Sequence, residues 1–540
     1  MDFDFYMDII LQNDFFSYVP QRQTKILSWM FIFISIVFLL FSIYIACVNN
    51  NPGSPDSKSN LDIARNILRG EGFTSHMVIQ HFVKQSLPNP EVIRNPGVPY
   101  LLAGLFRIFS INLAIPVIIN AIVILLSAWM LRSAASLLIN RMYGDIAGIL
   151  MLLSSNYELI SILNNNFLVL CTIILLYLSA LLIKGRINSV YFVLLSSLLT
   201  AIGFYIKYTF VLTSVPVVVY LLLLYKLNQE DKKLKVIFSF LLFSIITLIL
   251  CSPILLRNYS LYGNVLYTPI TSLRLAERYS GPELNAWRWV HFGGSVTLKE
   301  MMSIYGRGSI ILKELIIWIK IAVKIILLNA PLFVLLIASL FMNRRKGESV
   351  IFVVLLLSMI EPVFSVLYWR QESRYLWSIY PCLILLTGML LVNLNMNPPK
   401  GKLLIANIVS VLLLAGIIYG VLGCFKIVTE SLESAEYKVP DWIEVIKNVE
   451  QGSVIITNDP WSVAWYSGKY AVIYPIGTRE DLMKIVEIYK PDYYLNTGEG
   501  FQGETAQFLN EELELIASSD KKLPKWGFYK IKDSKYLNDV

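Results

Sequence analysis

The sequence predicts a polytopic α-helical membrane protein of about eleven spans, followed by a small extracytoplasmic α/β domain at its C-terminus. Three observations predict this. Of 540 residues, 56% are hydrophobic and 16% charged, where soluble domains carry about 25% charged residues. Apolar runs of about 20 residues, enough to cross about 30 Å of hydrocarbon, recur along most of the chain. Past residue 430 or so, polar residues return and the apolar runs shorten to strand length.

The first span is read over 26–48, with Arg22 and Lys25 placing its start in the cytoplasm. It lacks a small-residue cleavage site and so reads as a retained span. Further spans are read over 112–131, 145–160, 164–183, 188–206, 208–225, 236–256, 318–342, 349–368, 375–393 and 403–424. The short loops between them are basic on alternate turns: Arg132 with Arg141, Lys184 with Arg186, Lys226 to Lys235, Arg344-Arg345-Lys346, and Lys400 with Lys402. The long loops, 49–111 and 257–317, fall on the other side. This alternation puts the N-terminus in the cytoplasm of a plasma membrane and the C-terminus outside. The net charge of +8 is therefore a topology signal, and nucleic acid is not an expected partner. The five cysteines, Cys47, Cys171, Cys251, Cys382 and Cys424, are widely spaced and read as small apolar core residues.

In the first long loop, 62–68 fits a short amphipathic helix with Leu61, Ala64 and Leu68 on one face. The apolar piece 100–109 is too short to span and suggests an interfacial helix. The expected domains are a membrane domain, 1–428, and an α/β domain, 429–540. In the latter, 453–457, 470–474, 492–495 and 527–531 read as strands, and 439–449, 479–489 and 503–515 as helices.

Candidate chemistry sits in the external loops, because ionisable groups at a membrane face beside a cavity are functional hypotheses by default. Asp56 leads. A carboxylate there can deprotonate an acceptor hydroxyl or amine that then attacks a sugar carbon. A departing lipid phosphate needs no proton but needs cations, a task suited to guanidinium groups. Arg257 and Arg374, each at an external span end, are placed for it, with Lys58, Arg94 and Lys207 as further options. Against this, Asp56 after Pro55 also reads as a turn or helix-capping residue, and the cations as interfacial snorkelling chains. His76, His81 and His291, with Glu71, are the residues from which a divalent metal site would have to be drawn, yet their spacing is loose. The cofactor requirement is left open.

The ordered motifs resemble bacterial protein-mannosyltransferase-like enzymes. Asp56-Ser57-Lys58-Ser59-Asn60-Leu61-Asp62-Ile63-Ala64 is similar to their first-loop motif, with Asn60 where an aromatic is usual. The run from Asn66 to Phe73 continues it. So do Arg94-Asn95-Pro96-Gly97-Val98-Pro99, Arg257-Asn258-Tyr259, Arg374-Tyr375 with Pro381, and the tail segments Asn458-Asp459-Pro460 and Trp465-Tyr466-Ser467-Gly468-Lys469. The resemblance implies the glycosyltransferase C (GT-C) fold, a polyprenyl-phosphate-linked sugar donor, an external acceptor and an inverting displacement. It assigns Asp56 as the base; Lys58, Arg94, Arg257, Arg374 and Tyr375 are the expected substrate contacts. Where many relatives carry an acid before the fourth span, this chain has Asn164-Asn165-Asn166; Glu158, one or two turns earlier, is the substitute candidate. Two alternatives stay open: a carrier of lipid-linked sugars, and a non-catalytic assembly subunit keeping the fold.

Overall fold

A computed structural model describes residues 21–78, 87–91, 94–153, 159–162, 164–227, 233–263, 346–368, 377–396, 438–473, 485–497, 513–518 and 526–531, with isolated positions at 265, 308, 312, 316, 429, 432 and 433. In chain order it comprises α1 (Gln21–Val48), α2 (Pro55–Arg69), β1 (Thr74–Ser75), β2 (Met77–Val78), β3 (Asn89–Pro90) and α3 (Gly97–Phe109). Then come α4 (Ala114–Leu138), α5 (Arg141–Leu152), α6 (Asn164–Ile183), α7 (Ser189–Ile206), a 3-10 turn (Tyr208–Phe210), α8 (Val211–Leu227) and α9 (Lys233–Tyr262). After these follow α10 (Lys346–Ser358), α11 (Ile360–Tyr368), α12 (Tyr380–Met396) and α13 (Trp442–Lys447). The chain closes with β4 (Val454–Thr457), α14 (Pro460–Ser467), β5 (Tyr470–Ile473), β6 (Tyr493–Asn496), β7 (Leu513–Ser518) and β8 (Gly527–Ile531).

These elements form two compact units. The first holds α1 and α4 to α12 and is helical. Among the described residues, five helices are long and apolar enough to cross a membrane: α1, α4, α6, α7 and α9. Trp29, Phe33 and Leu40 of α1, and Phe238, Leu248 and Ile249 of α9, are exposed, as suits side chains whose solvent is lipid. The protein is thus a membrane protein. The spans expected at 318–342 and 403–424 lie outside the described residues.

Polar groups tie this bundle together. Asp145 is fully buried on α5 and accepts from Arg132 Nε at 2.6 Å and from Ser28 Oγ at 2.6 Å. The asparagine corner before α6 is an amide network. Asn120 donates to the carbonyls of Leu159 and Ser161, Asn166 donates to Asn120 Oδ1, and Asn164 donates to the Ile206 carbonyl. The span expected at 349–368 is broken at Met359 into α10 and α11. Opposite, Lys207 is extended (φ −156°, ψ 117°) and ends α7. Its ammonium lies 2.7 Å from Glu361 Oε1 and 2.8 Å from Ser365 Oγ, and Thr209 Oγ1 donates to the same carboxylate at 2.8 Å. The two interruptions are thus fastened to each other. Cys171, Cys251 and Cys382 are buried as expected, whereas Cys47 is exposed.

The second unit holds α2, β1 to β3 and α3 together with the C-terminal elements from α13 on. Its sheet has the order β2-β5-β4-β6-β8-β7, parallel from β2 to β6 and antiparallel beyond. Successive side chains alternate faces, as the two-residue period requires. Val78, Val454, Ile456 and Val472 pack with Ile485, Val486 and Tyr489 on one side. Met77, Ile455 and Ala471 pack with Trp442, Ile443, Ile446, Val463 and Ala464 on the other.

Three expectations are corrected here. The grouping differs from a cut at 428/429, because first-loop residues belong with the C-terminal elements and β2 supplies the strand beside β5. Residues 513–515, read as the end of a helix, lie in β7, because antiparallel pairing with β8 overrides the helical preference of the Glu/Leu-rich run; residues 503–512 are outside the described set. Finally, α2 begins at Pro55 rather than Asp62, with Ser54 as N-cap and Gly70 ending it at φ +83°. Leu68 is exposed, although Leu61 and Ala64 are buried.

Gly388 of α12 sits where a Cβ would fall 2.1 Å from the Tyr143 ring, whose hydroxyl donates to the Ile384 carbonyl. Gly388→Ala should therefore cost about 1–3 kcal/mol by overpacking, read as a lowered thermal midpoint of the detergent-solubilised protein.

Candidate active site

The site is built on α2. Pro55 at its first position presets the backbone, and Asp56 follows in the first turn, where a negative side chain is favourable beside the unpaired amide groups. Its Oδ1 accepts from Arg94 Nη2 at 2.6 Å. Arg94 is itself placed by its backbone amide, which donates to Glu91 Oε1 at 2.7 Å. Both partners of this pair are partly open to solvent, with side-chain exposures of 20% for Arg94 and 30% for Asp56. The structure therefore brings two of the sequence-selected residues together at an accessible position.

The opposite face of α2 is used differently. At about 100° per residue, Lys58, Asp62 and Arg65 fall within about 60° of one another, roughly opposite Asp56. The Lys58 ammonium donates to Ser462 Oγ on α14 at 2.7 Å. Arg65 donates to the carbonyls of Ala464 at 2.7 Å and Trp465 at 2.8 Å, and its guanidinium lies 5.4 Å from the Trp465 ring centroid. Lys58, selected from the sequence for substrate, is thus directed to α14 and not towards Asp56.

Asp62 is the buried centre of this face. Oδ1 accepts from Arg65 Nη2 at 2.6 Å and lies 3.1 Å from His76 Nδ1. Oδ2 accepts from the His76 backbone amide at 2.9 Å and the Ser75 hydroxyl at 3.4 Å. Burial pushes the Asp62 carboxyl up, but the His76 hydrogen bond, then the Arg65 and His76 charges, outweigh it and leave the carboxyl below its ordinary value. His76 Nε2 lies 3.2 Å from Glu71 Oε2. His81 and His291 lie outside the described residues, and among those described no cluster of three or more His, Cys, Asp or Glu is set to hold a metal.

Arg257 sits half-buried in the last turns of α9, in the first unit, and Lys207 is engaged with Glu361 as described above. Arg374, Tyr375 and Glu158 lie outside the described residues. Sequence reasoning missed Asp62 and Arg65 as a buried ion pair. Their three-residue spacing was the available signal, since it puts both on one helical face.

Residues 90–256 match the family model of the dolichyl-phosphate-mannose-protein mannosyltransferases. The whole structure is similar to ArnT from Cupriavidus metallidurans bound to undecaprenyl phosphate, with TM-score 0.55 and 11% identity over 93% of this chain and 98% of that one. It is also similar to the archaeal oligosaccharyltransferase AglB from Archaeoglobus fulgidus in complex with an inhibitory peptide and a dolichol-phosphate. There the TM-score is 0.53 and the identity 11%, over 87% of this chain and 70% of that one. No curated protein matches the chain in sequence. The fold is thus the GT-C fold, shared with these two proteins. The resemblance to protein-mannosyltransferase-like enzymes read from the motifs is supported over 90–256, a stretch that includes Arg94 and ends just before Arg257.

A carboxyl held below its ordinary value contributes stability that is fully present above the unfolded value, about pH 4, and lost as pH falls through the lowered value. Asp62→Asn should remove that acid-dependent step. By leaving Arg65 buried without its counter-charge, it should also cost about 3–5 kcal/mol. Unfolding midpoints measured across the acid range read both effects.

Proposed function

We propose that the protein is a membrane glycosyltransferase that moves one sugar from a polyprenyl-phosphate donor to an extracytoplasmic acceptor, with Asp56 as the base. The observation that carries this reading is the Asp56–Arg94 pair, presented at the N-terminus of α2 in a chain of GT-C fold.

In this reaction the Asp56 carboxylate takes the proton of an acceptor hydroxyl or amine. The freed electron pair forms the new bond to the anomeric carbon, and the bond from that carbon to the phosphate oxygen breaks. The polyprenyl phosphate leaves with the electron pair and the anomeric configuration inverts. Arg94 orients the base through a short charge-assisted hydrogen bond to one carboxylate oxygen. Arg257 and Arg374 are assigned to the departing phosphate, the latter with Tyr375, since a guanidinium suits a bidentate phosphate contact. Glu158 keeps its place as a candidate second carboxylate. Lys58 acts in holding α2, given its contact with Ser462. The basic-loop pattern supports a cytoplasmic N-terminus with α2 and the sheet outside. The acceptor class is a cell-envelope glycan, lipid or protein.

One observation favours a second reading, a carrier of lipid-linked sugars. Lys207 and Glu361 form a largely buried ion pair between two helix interruptions, and ionisable groups at broken helices mark transport pathways. The two readings separate in one experiment. A deletion strain is complemented with wild-type or Asp56→Asn protein at matched membrane levels, and the envelope glycans are compared by mass spectrometry. The transferase reading expects the substituted product to fall by at least about 10²-fold with Asp56→Asn, the low end for loss of a general base. Product at the wild-type level would reject Asp56 as the base and favour the carrier.

A further inference from the structure

We propose that Arg65 is a positioning residue for the reaction: with Lys58 it grips α14 and so sets the rotation of α2 that turns Asp56 towards Arg94. The proposal rests on the reading of Asp56 as the base and deepens it, by giving the C-terminal unit a task in the chemistry.

The geometry is specific. Lys58 and Arg65 are two helical turns apart on one face of α2. Lys58 reaches Ser462 in the first turn of α14. Arg65 reaches the carbonyls of Ala464 and Trp465 in its last turns, the Ala464 oxygen also accepting from the Gly468 amide at 2.9 Å. The two helices are therefore held side by side at both ends. One cation at one end would leave α2 free to roll; two cations seven residues apart fix the roll angle. Arg65 is itself aimed by Asp62 at 2.6 Å, and both groups are buried. A guanidinium can bridge a carboxylate and two carbonyls at once because its donors are spread in a rigid fork. The grip lies on the far side of α2 from Asp56, so it positions the base without touching the reacting atoms.

β2 reinforces the same constraint. The Asp62 carboxylate holds the His76 amide at 2.9 Å, and the His76 carbonyl accepts from Ala471 on β5 at 2.9 Å. The segment after α2 is thus pinned to the sheet in the register Met77 to Ala471 and Val78 to Val472. Rotation of α2 would have to break both attachments together.

The test uses the full-length protein carrying Arg65→Met, Arg65→Lys or Asp56→Asn. Three quantities are read: envelope product in the complemented deletion strain, retention of undecaprenyl phosphate by native mass spectrometry, and amide hydrogen exchange over residues 57–66. Arg65→Met is expected to lower product at least tenfold, to leave undecaprenyl phosphate retention within twofold, and to speed exchange over 57–66. Arg65→Lys is expected to recover part of the product, since an ammonium keeps the pair with Asp62 but cannot span both carbonyls. Loss of product and undecaprenyl phosphate retention together in both Arg65 variants would mean a general role in folding and would overturn the proposal. So would wild-type product or unchanged exchange in Arg65→Met. Asp56→Asn separates the two claims. If it keeps product, the base assignment fails, while the exchange pattern of Arg65→Met still decides whether the grip exists.

Discussion

The second unit depends on a carboxylate that has lost all contact with water. Asp62 is fully buried, and a buried charge is tolerated only when its partners are close and both oxygens are used. Arg65 and the His76 imidazole share one oxygen; the His76 amide and the Ser75 hydroxyl take the other. Those four donors come from α2 itself, from the end of β1 and from the residue that leads into β2. Satisfying one side chain therefore shapes the loop after the helix, aims a guanidinium at α14, and delivers a strand to the sheet. The cost of leaving Asp62 unpaired is what makes this arrangement singular.

The helical unit solves a related problem with different groups. Its long helices face lipid with apolar side chains, so their association gains little from a hydrophobic driving force. Buried polar contacts provide the directionality instead. Asp145 joins α1, α4 and α5 through Ser28 and Arg132. Glu361 joins the ends of α7 and α8 to α11 through Lys207 and Thr209. Asn120 of α4 satisfies the Leu159 and Ser161 carbonyls of the irregular segment before α6, and Asn166 of α6 donates to Asn120 in turn. Non-helical backbone at membrane depth is tolerated where neighbouring side chains complete its hydrogen bonds, as Asn120 and Asn164 do among the described residues.

Much of this was legible in the residue order. The span read over 164–183 coincides with α6, and 188–206 lies within a residue of α7, because apolar runs bounded by Asn, Lys and Arg leave little choice. The strands at 470–474 and 527–531 were plain from β-branched and aromatic runs, and the charged first loop brought Asp56 and Arg94 to notice before any geometry. Other features were hidden for physical reasons. A two-residue strand such as β2 has no periodicity to detect; it exists because β5 offers an edge and Asp62 holds His76. The helix α14 carried its signals, Asp459 as N-cap, Pro460 and Gly468, but at eight residues it was too short for a periodic pattern. Lys58 looked like a substrate contact because nothing local says that its partner lies 404 residues away.

That separation has a bearing on how the protein comes to be made. Arg65 and the Ala464 carbonyl are 399 positions apart, which at roughly 5–20 residues per second of elongation is a delay of roughly 20–80 s. During that interval the ribosome has finished α2 but not the helix and strand that will embrace it, so its charged inner face must stay hydrated. Competence arrives only once α14 and β5 have been made, and until then the nascent polypeptide carries its candidate base on a helix still free to turn.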